Sequence, residues 1–529
     1  MKPYAAFESG RTRICLPALI AIGLLLALLS ACGSGSSREM TPAAQTCGSG
    51  MVQTVAPSQG PLIKLSSDTC TNSSGQHDTE VEPSTFAFGS TIVTAFQVGR
   101  IFGGGGGDIG FATSTDAGAT WSSGVLPGIT IFEGGSSFTA ASDASVAYDA
   151  AHTMWLISSL AIGPTTQVLV SRSPDGINWG HPIAVTTTGN PDKNWIVCDN
   201  TASSPFYGNC YVEWDDPSSQ ALIEMNTSTD GGLTWGPALN TADRAHGVGG
   251  QPLVQPNGTV IVPIEGLTGP MLSFISTNGG TSWNSTLPIV KMITDHAEAG
   301  NLRRTGPLPS AAIDSAGNVY VVWGDCSFRT GCPSNDLVLS TSNNGTTWAT
   351  PARIPIDPIS STVDHFIPGL GIDPATSGPT AHLTLTYYYY PVSNCGTVCN
   401  MDVGFVSSQD GGGTWTAPVQ LAGPMSTSWL PNTFSGLMVG DYLSTTYVNG
   451  QAFGVFAVAN APSGGVFDEA IYTTTSPLVA AADSAYFSSK GEKPVPHAKS
   501  DHGPRKFYDE DGEFPIPPPK KNLKRSAKR

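Results

Sequence analysis

The sequence predicts an all-β fold whose body is a β-propeller, seven units favoured over six. Three observations predict it. Charged residues make up only 12% of the chain while Gly (61) and Pro (41) are plentiful, a balance that suits strands and turns better than surface helices. A turn pattern of the form Ser-x-Asp-x-Gly-x-Thr-Trp recurs along the body. Each copy is preceded by paired strand-like runs. A length of 529 residues would suggest several domains, but one ring of repeats can absorb most of such a chain.

Full copies of the turn pattern stand at Ser114–Trp121, Ser228–Trp235 and Ser408–Trp415. Weaker copies run over Ser276–Trp283 (Asn278, Gly280) and Thr341–Trp348 (Asn343, Gly345), and a copy one residue shorter over Ser173–Trp179. Each residue type has a mechanical reason. Asp or Asn, with Ser or Thr, hydrogen-bonds the backbone of a tight turn. Gly accepts positive φ there, and Trp buries a large ring against the hairpin. One carboxylate per turn is too few for calcium, which takes 6–8 oxygens, so no metal and no cofactor is expected. Upstream, Pro309–Asp314 and Gly317–Trp323 make the clearest strand pair. Comparable units begin near Glu82, Ser145, Asp192, Gln251, Ser310, Pro368 and Leu437, the last without a turn copy.

The two ends read differently. Arg11 and Arg13 precede an apolar run from Leu16 to Leu29, and Leu29-Ser30-Ala31-Cys32 resembles the lipobox of bacterial lipoproteins. That resemblance implies a signal peptide at 1–31, lipidation of Cys32 and a lipid-anchored linker at 32–75; an ordinary secretory signal is the alternative. The propeller is expected at 76–487. From 488 to 529 Pro, Lys and charged residues take over, as in a disordered tail. Lys490–Arg529 holds 11 basic and 6 acidic residues, a net +5 against −16 for the whole chain. An acidic body does not suit nucleic acid. Eight further cysteines fall in close pairs: Cys47 and Cys70, Cys198 and Cys210, Cys326 and Cys332, Cys395 and Cys399. Proximity alone suggests four disulfides, in keeping with export; zinc is the rival reading, but no His accompanies the pairs at ligand spacing.

The turn pattern is identified as the Asp box, or BNR repeat, of sialidases and related propellers. That resemblance covers roughly residues 80–478. It implies that the box joins the third and fourth strands of each unit, on the face away from an active site. The opposite face then collects the loops between units and those between second and third strands. Five of the seven body arginines fall there: Arg100, Arg244, Arg303, Arg304 and Arg329. With them come His246, Asp192, Lys193, Asp364, His365, His77, Glu80, Glu82, Asp441, Tyr442, Asp215, Asp216, Glu265 and Asp325.

Arginine forks suit carboxylated sugars, and carboxylates with a Tyr suit glycoside cleavage. The expected substrate-binding residues are Arg244, His246, Arg303, Arg304, Arg329, Arg100, Asp364, His365, Glu80 and Glu82. By resemblance, the catalytic candidates are Tyr442 as nucleophile, Glu265 as its partner and Asp192 as acid/base. The Arg-Ile-Pro motif that precedes the first unit of sialidases is replaced here by His77-Asp78-Thr79-Glu80-Val81-Glu82-Pro83. Two functions stay open: an exo-glycosidase of sialidase type, and a non-catalytic surface propeller that binds glycans or protein partners. Either is expected as a monomer in the bacterial envelope, outside the cytoplasm, held to the membrane by its lipid.

Overall fold

The computed structural model describes residues 45–48, 52–58, 60–135, 137–303, 306–478 and 486–495. Among them the only helices are four three-residue 3-10 turns; everything else regular is strand. Strand pairing among the described residues gives one 13-stranded sheet, four sheets of four or five strands and two short two-stranded ones. Apart from one parallel bridge, Thr79 to Glu469, the pairing is antiparallel, and it is followed here as successive groups of strands, each stepping outward from an innermost one.

The first holds Gly75–Phe88, Thr91–Ile101, Gly106–Ser114 and Ser122–Val125, and the second Ala140–Asp149, Met154–Ile162, Gln167–Ser173 and Ile183–Thr186. The third holds Asp192–Cys198, Cys210–Asp216, Leu222–Ser228 and Leu239–Asn240. The fourth has an interrupted innermost strand, Gly247–Val248 with Leu253–Val254, then Val260–Gly266, Met271–Ser276 and Leu287–Val290. The fifth holds Ser310–Ile313, Val319–Asp325, Asp336–Ser342 and Ala352–Arg353, and the sixth Asp364–Ile372, Leu383–Tyr390, Asn400–Ser408 and Val419–Ser426. The seventh is Ser444–Val448, Gln451–Ala459 and Glu469–Thr474, and its fourth strand is Leu62–Lys64 from the N-terminal side. Part of the segment read from sequence as a linker is therefore built into the body. A three-residue strand carries too little alternation to be recognised.

Each sheet is buried on both faces because a neighbouring unit covers each. In the fifth unit Val319, Val321 and Trp323 pack with Ile261 and Met271 of the fourth. Tyr320 and Val322, on the other face, pack with Leu370 and Leu385 of the sixth. The period-2 alternation of a strand thus feeds two cores at once. Innermost strands of successive units lie against one another, and that of the seventh lies against that of the first.

All six Asp boxes join the third strand of a unit to its outer side. In Ser408–Trp415, Ser408 Oγ donates to Asp410 Oδ1 at 2.8 Å, and Asp410 accepts from Thr414 N at 2.8 Å. Burial alone would raise these carboxyls, but such hydrogen bonds outweigh it: Asp116, Asp230 and Asp410 are held below the ordinary value and Asp175 falls to about 2. The fifth box differs from expectation. Its locking residues are Ser342 and Asn344, not Thr341 and Asn343: Gly345 N donates to Ser342 Oγ at 2.9 Å, and Thr347 N to Asn344 Oδ1 at 2.9 Å. It is a second copy of the shorter form. All four cysteine pairs form disulfides as expected.

Because strands alternate in direction, box turns and first-to-second-strand turns share one end of every unit. Loops between second and third strands, and links between units, share the other, called here the mouth end.

Candidate functional site

The innermost strands carry a feature the sequence does not announce. In four units the ladder slips by one or more residues near the mouth end, between Val81 and Ser84, Ser142 and Ser145, Asp192 and Trp195, and Phe366 and Pro368. Each slip holds a non-glycine residue in the left-handed region: Glu82 at φ 58°, Asp143 at 49°, Lys193 at 53° and Ile367 at 49°. In the fourth unit the interruption holds Gly249 at φ +66°. Such bulges re-aim a side chain, at a cost of order 1–3 kcal/mol each where the residue is not glycine. Asp143, Lys193, Gly249 and Ile367 line one pocket at the mouth end, a cavity of about 20 Å³.

The pocket's polar groups form a network. Lys193 Nζ lies 2.9 Å from Asp441 Oδ2 and 3.9 Å from Asp143 Oδ2. Arg303 Nη1 reaches the same Asp441 oxygen at 3.2 Å. Asp441 N donates to Glu82 Oε1 at 2.8 Å. Gln97 links Glu82 to Ser142, whose hydroxyl donates to Asp143 Oδ1 at 2.9 Å. All of these charged side chains are buried. Asn194, also buried in the lining, spends its amide NH2 on Ser158 Oγ at 2.8 Å and leaves its carbonyl oxygen without a protein partner. Half-buried Trp195 meets Tyr442 edge to face, ring centres 5.3 Å apart. Below them a wider space of about 290 Å³ is lined by innermost-strand residues from Ser84 round to Tyr447, and Trp195 borders both spaces.

The sequence-selected residues divide. Glu82, Arg303 and Tyr442 meet at the mouth. Asp192 sits just behind, its Oδ1 accepting from Lys193 N at 2.9 Å, and across the ladder from Asp215, whose carboxyl burial and then Asp192 push well up. Glu265 is buried beside Gly306 of the pocket wall.

The others lie elsewhere. Arg244 is exposed and donates to Asn240 Oδ1 at 2.9 Å; His246 bonds Gln220 O at 2.9 Å. Asp364 holds His296 at 2.9 Å. Arg100 is buried and donates to Gln97, and Glu80 accepts from Ser66 Oγ at 2.7 Å. Arg329 is spent inside the fifth unit, 2.7 Å from both Asp336 and Asp357, which Arg353 also grips at 2.8 and 2.6 Å. Arg304 and Cys32 lie outside the described residues.

Asp336, Asp357 and His365 are the one group among the described residues close enough to share a metal ion. They do not fit one: two guanidiniums already neutralise the carboxylates, and a further cation would be held against their charge. Burial lowers His365 below the ordinary imidazole value. Sequence reasoning missed Asp143, Asn194 and Trp195, because nothing in a strand pattern marks a bulge.

No protein-family model matches the chain, and no curated protein matches it. Solved structures with a related trace include a Hadza microbial sialidase at 14% identity, covering 75% of this chain and 65% of that one, TM-score 0.37. A Trypanosoma rangeli sialidase in complex with sialic acid shares 12% identity over 82% of this chain and 59% of that one, TM-score 0.42. The NanB sialidase of Streptococcus pneumoniae shares 13% over 79% and 71%, TM-score 0.40. At these scores the likeness carries no argument about this chain's activity.

Proposed function

We propose that the chain is an extracytoplasmic lipoprotein, a seven-bladed closed propeller that binds glycans at its mouth without cleaving them. The contact of the seventh innermost strand with the first supports closure. One observation carries the binding site. Bulges in four innermost strands place left-handed residues around one mouth, three of them charged and hydrogen-bonded there. Backbone strain of this kind gathers at functional sites. The groups it assembles suit a polyhydroxyl ligand: Trp195 offers a face for a sugar ring and Asn194 a carbonyl oxygen as acceptor.

The arginines argue against a grip on an acidic sugar. Among the described residues Arg303 is engaged by Asp441 and Arg329 by Asp336 and Asp357, so neutral glycans are the favoured class. Exo-glycosidase action is the second reading, resting on Tyr442 in the mouth wall. A glycan array read with the wild type and with Trp195→Ala tests the site; a signal retained by the variant would refute it.

A further inference from the structure

We propose that a groove at the end opposite the mouth, between the fifth and sixth boxes, is a separate binding site that takes a neutral sugar residue. It stands apart from the mouth and does not need the reading given there. The groove encloses about 620 Å³, more than either space described above and within the range of small-molecule sites. Four segments build it: the fifth box, the Asp410–Gly411 part of the sixth, the Gly378–Thr380 turn between the sixth unit's first and second strands, and Asn318 with Tyr320 at the start of the fifth unit's second strand. These walls are already fixed. Tyr320 OH donates to Asp314 Oδ2 at 3.3 Å, and Gly378 N donates to the same oxygen at 2.8 Å. Trp348 Nε1 donates to Ser273 Oγ at 2.9 Å, which holds the half-buried ring where it borders the groove. A site held in this way spends little on ordering when it binds.

The groups left to meet a ligand come from the short form of the fifth box. Because Ser342 and Asn344 make its lock, Thr341 and Asn343 are released from it. Both line the groove, and neither the Thr341 hydroxyl nor the Asn343 side-chain amide has a hydrogen-bond partner among the described residues. In the other short box the place of Asn343 is taken by Pro174, so the lock needs no amide there. An amide offers a donor and an acceptor to neighbouring hydroxyls, and a threonine hydroxyl adds a third contact. The indole of Trp348 can cover the C–H face of a pyranose ring. No Lys or Arg among the described residues lines the groove, and its one carboxylate, Asp410, is spent on Ser408 and Thr414 of its own box. An anionic ligand would meet that carboxylate with no cation to offset it, so the class is neutral.

The test incorporates fluorotryptophan into the full chain and follows its fluorine NMR signals during titration with lactose, maltose, cellobiose and chitobiose. Trp348→Phe identifies the signal at 348, and Trp195→Phe the one at 195. The expected result is a saturable shift at 348 with at least one of these sugars, its Kd raised about fivefold by Asn343→Ala, the worth of one neutral hydrogen bond. Asn343→Ala leaves the lock intact, and an unchanged unfolding midpoint checks that the fold is kept. A signal at 348 that stays fixed with every sugar overturns the site. A shift that Asn343→Ala leaves equally tight overturns the role of the amide, and sialyllactose binding more tightly than lactose overturns the neutral class. The two sites report separately: movement at 195 alone removes this one and leaves the mouth reading, and movement at 348 alone does the reverse.

Discussion

Replacing Arg329 by Met should destabilise the fold rather than blunt a binding site. Arg329 is 1% exposed, and its guanidinium bridges Asp336 and Asp357 at 2.7 Å each while donating to Ser361 O. With Arg353 on the same two oxygens, the four side chains form a neutral quartet. Removing one guanidinium leaves two carboxylates, Asp336 buried and Asp357 12% exposed, sharing one cation. Breaking a buried pair in this way costs about 3–5 kcal/mol. Arg329→Lys should recover only part, since a point charge cannot make the same flat fork. Arg329→Met combined with Asp336→Asn should recover more than either change predicts alone, because the double change removes one charge of each sign and leaves Arg353 paired with Asp357. The assay is guanidinium-chloride unfolding at constant pH, with unchanged slope showing that the same transition is compared. A loss under about 1 kcal/mol, the worth of an exposed pair, would refute the structural role and return Arg329 to the candidate ligand-binding set.

Two further outcomes follow from the same reasoning. Glu80 and Glu469 face one another where the first unit meets the seventh; burial raises Glu80 from 4.5 to about 8 and Glu469 well above its ordinary value. The native chain therefore keeps protons that the unfolded chain releases: this stability is full below pH 4.5 and is lost as pH rises to about 8. Unfolding free energy should fall across that window by up to about 1.4 kcal/mol per pH unit for each such proton, and Glu80→Gln should flatten the slope; an unchanged profile in the variant contradicts it. In the fifth box, Asn344→Ala should cost about 1 kcal/mol in thermal or chemical unfolding while Asn343→Ala stays within about 0.5, and the reverse order would restore the longer register.

The fold was legible because its turns repeat: a Ser, an Asp or Asn, a Gly and a Trp at fixed offsets must lock a hairpin, and all six copies do. The shorter fifth box was misaligned because Thr341-Ser342-Asn343-Asn344 offers two adjacent sets of the same residue types. Leu62–Lys64 was hidden because three residues show no period. The site was legible only as charges near the starts of units. That rule found Glu82, Lys193, Arg303, Asp441 and Tyr442, but it could not tell them from Arg244, His246 and Arg329, whose partners depend on packing between distant segments. Asp143 and Trp195 were missed for a conformational reason, since a left-handed residue in a strand bulge leaves no mark in composition or alternation.

The most direct test of the central claim is calorimetric titration of the wild type and Trp195→Ala with a neutral glycan that an array selects, run beside turnover of an umbelliferyl sialoside. The account predicts saturable binding weakened at least about tenfold by the substitution, or about 1.4 kcal/mol, with no fluorophore released. Release of fluorophore that disappears in Tyr442→Phe would contradict it and make the mouth the active site of a glycosidase.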